Sequence, residues 1–436
     1  MSGLLTARVL ADVYSSVIVV ERDKLPDGPA QRTGVPQGRH LHQLLSSGLR
    51  AVEGLFPGML SELAAGGAPV FDGRDPSLAY VKISGHPLSQ HGVLRDPDAI
   101  VVGMTSRPYL ESAVRERIRA LPNVEFLDSH DVIEPVLQNR RVTGVNVSDR
   151  STGESRVLPA ALVVDAAGRS ARTPAFLAEH GYARPAEQSY PVRLTYVSQL
   201  FRVPAAALHE KVALVSPTLE CPSGAGLLAY ENDTAILTLI GVAGRRPPAD
   251  LPSILIAAAE CLPAHISAVL NTAEPLGDPT QQHYPASVWR RYDKLAAFPE
   301  GLLVTGDAVC SLNPLYGQGM TSAALQARAL RKVLANSDGP ELSRAYFRSA
   351  AKAIAPIWQA NRLNDFAVTP TTGLATWPQR AFNGYTTAYM AAASTDITLT
   401  ETFLRVMQGV APGTTLMHPT RMIQVARSAR QRARAI

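Results

Sequence analysis

The chain has 436 residues, 46% hydrophobic and 18% charged, with 42 Lys and Arg against 37 Asp and Glu. This excludes a disordered polymer, a collagen and a coiled-coil rod, and leaves ample length for a large core. The net charge of +5 is matched by five arginines of the acid-free C-terminal stretch, Arg421, Arg427, Arg430, Arg432 and Arg434, so the body is near neutral and shows no basic stripe for nucleic acid.

Leu4, Leu5, Ala7, Leu10 and Ala11 predict a helix with Arg8 and Asp12 off its apolar face. Asp12, and Glu21-Arg22-Asp23 further on, argue against a signal peptide. Val17–Val20 is a β-branched run expected as a buried parallel strand, and it ends in the acid Glu21. Helix, strand and terminal carboxylate form the second half of a nucleotide-binding βαβ unit, or else part of another α/β layer. Gly3 lies 18 residues before Glu21, close to the ~20 expected between the third glycine of G-x-G-x-x-G and the ribose-binding acid. The expectation is therefore that the first strand and two glycines are missing, through a late start or a truncation.

Residues 26–38 predict a loop, 41–65 a helix, and 66–104 loop and short strand. Residues 108–120 predict a helix with Leu110, Val114 and Ile118 inward and Glu111, Arg115 and Arg117 outward. Short strands are expected at 124–127, 142–147 and 156–157, and a buried one at 162–164 ending at Asp165. From 190 to 241, strand follows strand, an antiparallel layer in which Tyr196, Leu200, Phe201, Leu227, Leu228 and Leu239 could form an apolar roof or plain sheet core. Helix is expected at 251–270, strand at 302–304 leading to Gly306-Asp307, a long helix from Gly319, and mostly helix from 340 on. The arginine-rich end has a poor amphipathic register and is expected as a frayed, solvated terminus rather than a contact for an anionic membrane.

Cys221, Cys261 and Cys310 lie 40 and 49 residues apart, with no CxxC spacing. Neither a disulfide scaffold nor a zinc site is expected, and a cytoplasmic location suits the thiols. No apolar run reaches the ~20 residues of a membrane span, and no HExxH or G-x-S-x-G motif occurs. Trp289, Trp358 and Trp377 are too far apart for the W-x-W-x-I-P signature of flavin halogenases.

Three features sit at strand ends, where open α/β sheets bind ligands: Glu21, the stretch Asp165-Ala166-Ala167-Gly168-Arg169, and Gly306-Asp307 followed by Asn313-Pro314-Leu315-Tyr316-Gly317-Gln318-Gly319-Met320. The last feeds a helix whose free N–H groups favour negative charge, such as the pyrimidine edge of a reduced flavin. In this order the three resemble the flavoprotein monooxygenases of the p-hydroxybenzoate-hydroxylase type. With Gly34–His42 and Ser106–Leu110 added, the likeness is closer to bacterial polyether-antibiotic epoxidases and their squalene-epoxidase-like relatives.

The resemblance implies an α/β fold: a Rossmann-like FAD-binding domain (1–65, 100–180 and 285–340), a β-sheet substrate domain (66–99 and 181–284), and a helical C-terminal region (341–436). It implies one extended FAD. Gly3 would lie on the pyrophosphate, with Glu21, beside Arg22, on the ribose. Arg39 and Arg107 would flank the pyrophosphate and ribityl chain. Asp307 would bind the ribityl chain or pyrophosphate, Pro314, Gly317, Gln318, Gly319 and Met320 would face the isoalloxazine, and Asp165 and Gly168 would lie near both FAD and NAD(P)H. Its chemistry would be oxygen insertion from O2 through a flavin C4a-hydroperoxide into a lipophilic substrate, by epoxidation or hydroxylation in secondary metabolism, with NAD(P)H or a separate reductase as electron source. No catalytic side chain is obligatory. His40 and His42 are candidates to face flavin or substrate, or simply to hydrogen-bond backbone. Two alternatives remain: an FAD-dependent reductase or dehydrogenase acting on a prenyl-type chain, and a non-catalytic remnant of a flavoprotein.

Overall fold

A computed structural model describes residues 1–336, 339–368 and 377–435. Residues 337–338, within the expected FAD-binding segment, and 369–376 and 436, within the expected helical region, lie outside the described residues.

The chain opens with α1 (Ser2–Ala11), which buries Leu4, Leu5, Ala7, Val9 and Leu10 and leaves an Arg8–Asp12 pair at its surface. The strand Val17–Val20 pairs in parallel with Val124–Leu127, and Val163–Asp165 pairs in parallel with Leu302–Val304. Each pair is a separate two-stranded sheet. The expectation of buried strands holds for Leu302–Val304 but not for Val17–Val20, where Ile18 is 40% exposed, nor for the strand expected at 162–164, which runs Val163–Asp165 and is only partly buried. Val17 and Glu21 donate their N–H groups to the carbonyls of Asn123 and Leu127, so in this parallel ladder the alternate residues Ile18 and Val20 turn their backbone groups the other way. That side of Val17–Val20, and residues Val163–Asp165, line one cavity.

The segment expected as one helix at 41–65 is two, α2 (Ser46–Glu53) and α3 (Met59–Ala65), broken at Pro57-Gly58, where Gly58 has φ +82°. Gly48 brings α2 against the later helix Gly319–Leu334: a Cβ there would lie 2.5 Å from Thr321 Oγ1 and 3.1 Å from Thr321 Cα. Overpacking of this kind costs about 1–3 kcal/mol. Gly48→Val is expected to lower the urea midpoint by that equivalent, and an unchanged midpoint would show that the two helices can separate freely.

The helix α4 (Arg107–Arg119) starts where Ser106 Oγ accepts the Tyr109 N–H, 3.2 Å away. Its outer face departs from expectation. Arg117 is solvent-facing and pairs with Glu62, but Glu111 and Arg115 are buried because the 26–38 loop folds over them. A three-stranded antiparallel sheet (His130–Gln138, Arg141–Asp149, Ser155–Pro159) precedes α5 (Thr173–Glu179).

The largest layer is an eight-stranded sheet in the order Cys310–Ser311, Glu274–Arg290, Glu187–Arg202, Thr234–Gly241, Ser223–Tyr230, Val212–Val215, Ala79–Ile83, His86–Pro87. It is antiparallel except where Val212–Val215 meets Ala79–Ile83 in parallel. On one face lie α6 (Leu251–Cys261) and α7 (Ala264–Thr272), whose Ile254 and Ile266 pack with Phe201, Leu227 and Leu239 of the sheet. Side chains alternate along a strand, so most of the expected roof faces elsewhere. Leu200 and Leu228 pack with a second core cluster, and of the six roof residues Tyr196 is the one on the cavity wall. The chain ends in α8 (Gly319–Leu334), α9 (Leu342–Val368), α10 (Trp377–Ala393), α11 (Ile397–Met407) and α12 (Pro419–Ala435).

Candidate functional site

A connected cavity of about 2410 Å³ runs from α1 to the C-terminal helices. Pockets for one drug-sized ligand are typically ~300–1,000 Å³, so this one has room for a cofactor and a substrate. Its walls bring together Gly3, Glu21, Arg22, His40, His42, Arg107, Asp165, Gly168, Asp307, Pro314, Gly317, Gln318, Gly319 and Met320. Arg39 is exposed and absent from the lining. The arginine that reaches in from that loop is Arg32.

Two helices begin on this cavity. Neither α1 nor α8 has a side-chain cap, so their first-turn N–H groups are left for another acceptor. The helix dipole adds positive potential at both places, the usual setting for phosphate or another anion. Gly317, at φ +63°, supplies the left-handed turn that aims the chain into α8. A Cβ at Gly319 would meet nothing within 4 Å, so this first turn is open.

Charges are concentrated at the α1 end. Arg32 contacts Glu21 Oε2 at 3.0 Å and Glu111 Oε1 at 2.7 Å, and Arg107 Nε lies 3.3 Å from Glu111 Oε2. Glu21 also accepts the Asp23 N–H at 3.1 Å, so its carboxylate is oriented before any ligand arrives. Asp165 has a different job: it accepts the Ala167 N–H at 2.9 Å and the Thr173 hydroxyl, fixing the turn after its strand. Asp307 lies on the cavity wall. Burial raises its pKa, against the pull of Arg107 and Arg169. A carboxylate held this way suits ligand hydroxyls.

His40 Nδ1 lies 2.9 Å from Ser198 Oγ, and its ring meets Tyr196 edge-on at 4.4 Å. Its Nε2 is buried and has no partner. His42 Nδ1 lies 2.9 Å from the His40 carbonyl oxygen, the backbone-bonding role. Burial, with the His42 and Arg39 charges, lowers His40 to about 4; burial and Arg107 lower His42 to about 4. Both rings are neutral at pH 7. Further along the wall, the Arg169 guanidinium sits 4.3 Å over the Tyr284 ring, and Tyr284 Oη is 2.9 Å from Ser311 Oγ.

Asp365 of α9 carries no sequence motif, yet it organises the turn before α8. Its Oδ1 accepts from Asn313 Nδ2 at 2.6 Å and from the Tyr316 hydroxyl at 2.8 Å. Burial raises its pKa to about 6, against the hydrogen bonds from Tyr316 and Asn313. A folded-state pKa above the unfolded value gives stability that is complete at low pH and lost as pH rises through about 6. Between about pH 4 and pH 7 the native chain is expected to lose about 3 kcal/mol from this group relative to Asp365→Asn. Urea midpoints of the two proteins at both pH values measure it, and parallel pH dependences would refute it.

No family model matches the chain. Protein Rv3254 of Mycobacterium tuberculosis (strain ATCC 25618 / H37Rv) is 40% identical over 416 residues, covering 93% of this chain and 87% of that protein. The chain belongs to the Rv3254 family. Two solved structures extend the comparison. The flavin-dependent brominase Bmp2 superposes with a TM-score of 0.63 at 14% identity, covering 100% of this chain and 96% of Bmp2. PqsL of Pseudomonas aeruginosa, described as a probable FAD-dependent monooxygenase, gives 0.59 at 18% identity, covering 92% and 96%. This member of the Rv3254 family therefore has the α/β fold found in flavin-dependent enzymes. At these identities the likeness is one of fold, and fold alone does not fix chemistry.

Proposed function

We propose that the chain is an FAD-dependent monooxygenase that places one oxygen atom from O2 into a lipophilic substrate, by epoxidation or hydroxylation in secondary metabolism. The observation that carries this reading is the polarity of the cavity. Two uncapped helix N-termini, Glu21 and Asp307 stand on its walls, and Leu214, Pro217, Phe382, Phe403, Met407 and Leu416 supply apolar lining elsewhere. The polar groups fit a dinucleotide and the apolar lining an uncharged substrate. The fold shared with PqsL supports the choice of cofactor.

In this reading Gly3 and the first turn of α1 face the pyrophosphate, with Arg32 and Arg107 nearby. Glu21 accepts from the adenosine ribose, Asp307 from the ribityl hydroxyls, and the α8 N-terminus faces the flavin pyrimidine edge. Asp165 and Gly168 shape the neighbouring turn. When bound, FAD would supply the electron transfer and the activation of O2, with electrons from NAD(P)H or a separate reductase. The chain's own work is to orient and to exclude water. Neutral His40 offers the unpartnered Nε2 to a substrate oxygen or a flavin edge. The proposed division keeps residues 1–65, 100–180 and 285–340 with the cofactor and 66–99 and 181–284 with the substrate, to which the helical region 341–436 adds Phe382, Phe403, Met407 and Leu416.

The test is aerobic turnover of the FAD-reconstituted protein with a reductant and a panel of apolar olefins under isotopically labelled O2. One labelled oxygen atom in the product is expected. Saturation of the olefin without oxygen uptake would favour a reductase, and a protein that takes up no flavin would end the proposal.

A further inference from the structure

The arginine-rich end of the chain is not frayed: it forms α12 over Pro419–Ala435. One side of this helix packs on the body. Val425 is 4% exposed within the core shared with α10 and α11, and Arg432 donates to the Ala391 carbonyl and to Ser428. The opposite side is exposed and has two components. Met422, Ala426, Ala429 and Ala433 form an apolar stripe, and Arg427, Arg430 and Arg434 run beside it with Ile423. At about 100° per residue these positions fall within an arc of roughly 160°. Met422 is 45% and Ile423 51% exposed. No Asp or Glu occurs after Glu401. The turn Gly413–Met417 packs against α12, and its Met417 is both 49% exposed and part of the cavity wall. The helix that carries the cationic and apolar face is therefore in contact with a turn that lines the cavity.

We propose that α12 with the adjoining 412–417 turn is a docking surface for an anionic lipid bilayer. Methionine and isoleucine enter the headgroup boundary, the alanine stripe lies along it, and the three arginines reach lipid phosphates. Nothing here is a membrane span: no helix among the described residues is long and apolar enough to cross a bilayer. Docking of α12 would bring the Gly413–Met417 turn, which packs on it and carries Met417 of the cavity wall, close to the lipid. The inference stands apart from the choice of cofactor and chemistry.

The full chain is sedimented with vesicles of phosphatidylcholine alone and of phosphatidylcholine mixed with phosphatidylglycerol. Binding to the mixed vesicles, and its loss at high salt, is the expected result. The pair Arg427→Ala and Arg430→Ala is expected to weaken that binding about 30-fold, and Met422→Ser with Ile423→Ser to weaken it as well. All four side chains are exposed, and circular dichroism and urea midpoints confirm that the variants fold. No binding to the mixed vesicles overturns the proposal. So does equal binding to neutral vesicles, or retention on double-stranded DNA without vesicle binding.

Discussion

Glu111→Ala is expected to cost about 3–5 kcal/mol of folding stability, the usual effect of removing one partner from a buried ion pair. Glu111 is 4% exposed and stands among Arg32, Arg107 and Arg115, at 2.7, 3.3 and 3.9 Å. Arg107 and Arg115 are themselves buried, so the variant would leave guanidinium groups out of water without a counter-charge. Burial alone would raise the Glu111 pKa, but the Met1 amine, Arg107 and Arg32 outweigh it and bring it down to about 2. The sign of the pH effect follows. A depressed carboxylate contributes stability that is complete above its unfolded value, near 4.5, and lost as pH falls toward about 2. Over that window the native protein should lose about 3 kcal/mol that the alanine variant has already lost. Urea unfolding at neutral and acid pH measures both. Glu116→Ala, which breaks a partly exposed pair with Arg119, is the control and should change stability by less than ~1 kcal/mol. Equal effects from the two variants would show that the buried cluster has no special weight.

Asp307→Asn should separate binding from stability. A hydrogen bond to a charged group contributes about 1.5–3 kcal/mol, so FAD affinity is expected to fall roughly 10- to 100-fold. The flavin-free chain should not suffer. Burial raises the Asp307 pKa, so this group's contribution to stability is present at low pH and declines as pH rises through the folded value. Removing its charge at neutral pH should leave the apo protein as stable or more so. Flavin fluorescence titration gives the affinity and urea unfolding the stability. If both fall together, Asp307 is a structural residue and its place in the proposed site is wrong.

What the sequence showed most clearly was local. A β-branched run ending in Glu21, a strand delivering Gly306-Asp307, and a Pro/Gly turn entering α8 are contiguous patterns, and each became an element of the expected type, the first less buried than expected. The misses were long-range. Glu111 and Arg115 occupy the polar side of an ordinary amphipathic helix, and only the 26–38 loop lying across α4 buries them. Asp365 lies 52 residues from Asn313, and no spacing rule connects them. The 17-residue strand Glu274–Arg290 went unread because Pro275, Pro279 and Pro285 weigh against a strand. It tolerates them as a sheet border over most of its length, meeting Cys310–Ser311 only near its end. The roof failed for another reason: a continuous apolar run does not say which face of a sheet a side chain takes.

The half-paired Val17–Val20 strand has a practical consequence. Its free side and residues Val163–Asp165 leave main-chain donors and acceptors in one cleft, and such groups seek partners wherever they can find them. A strand of four β-branched residues is a ready template for a foreign polypeptide, another molecule of the same protein included. A group seated in that cleft would cover this template and oppose self-association.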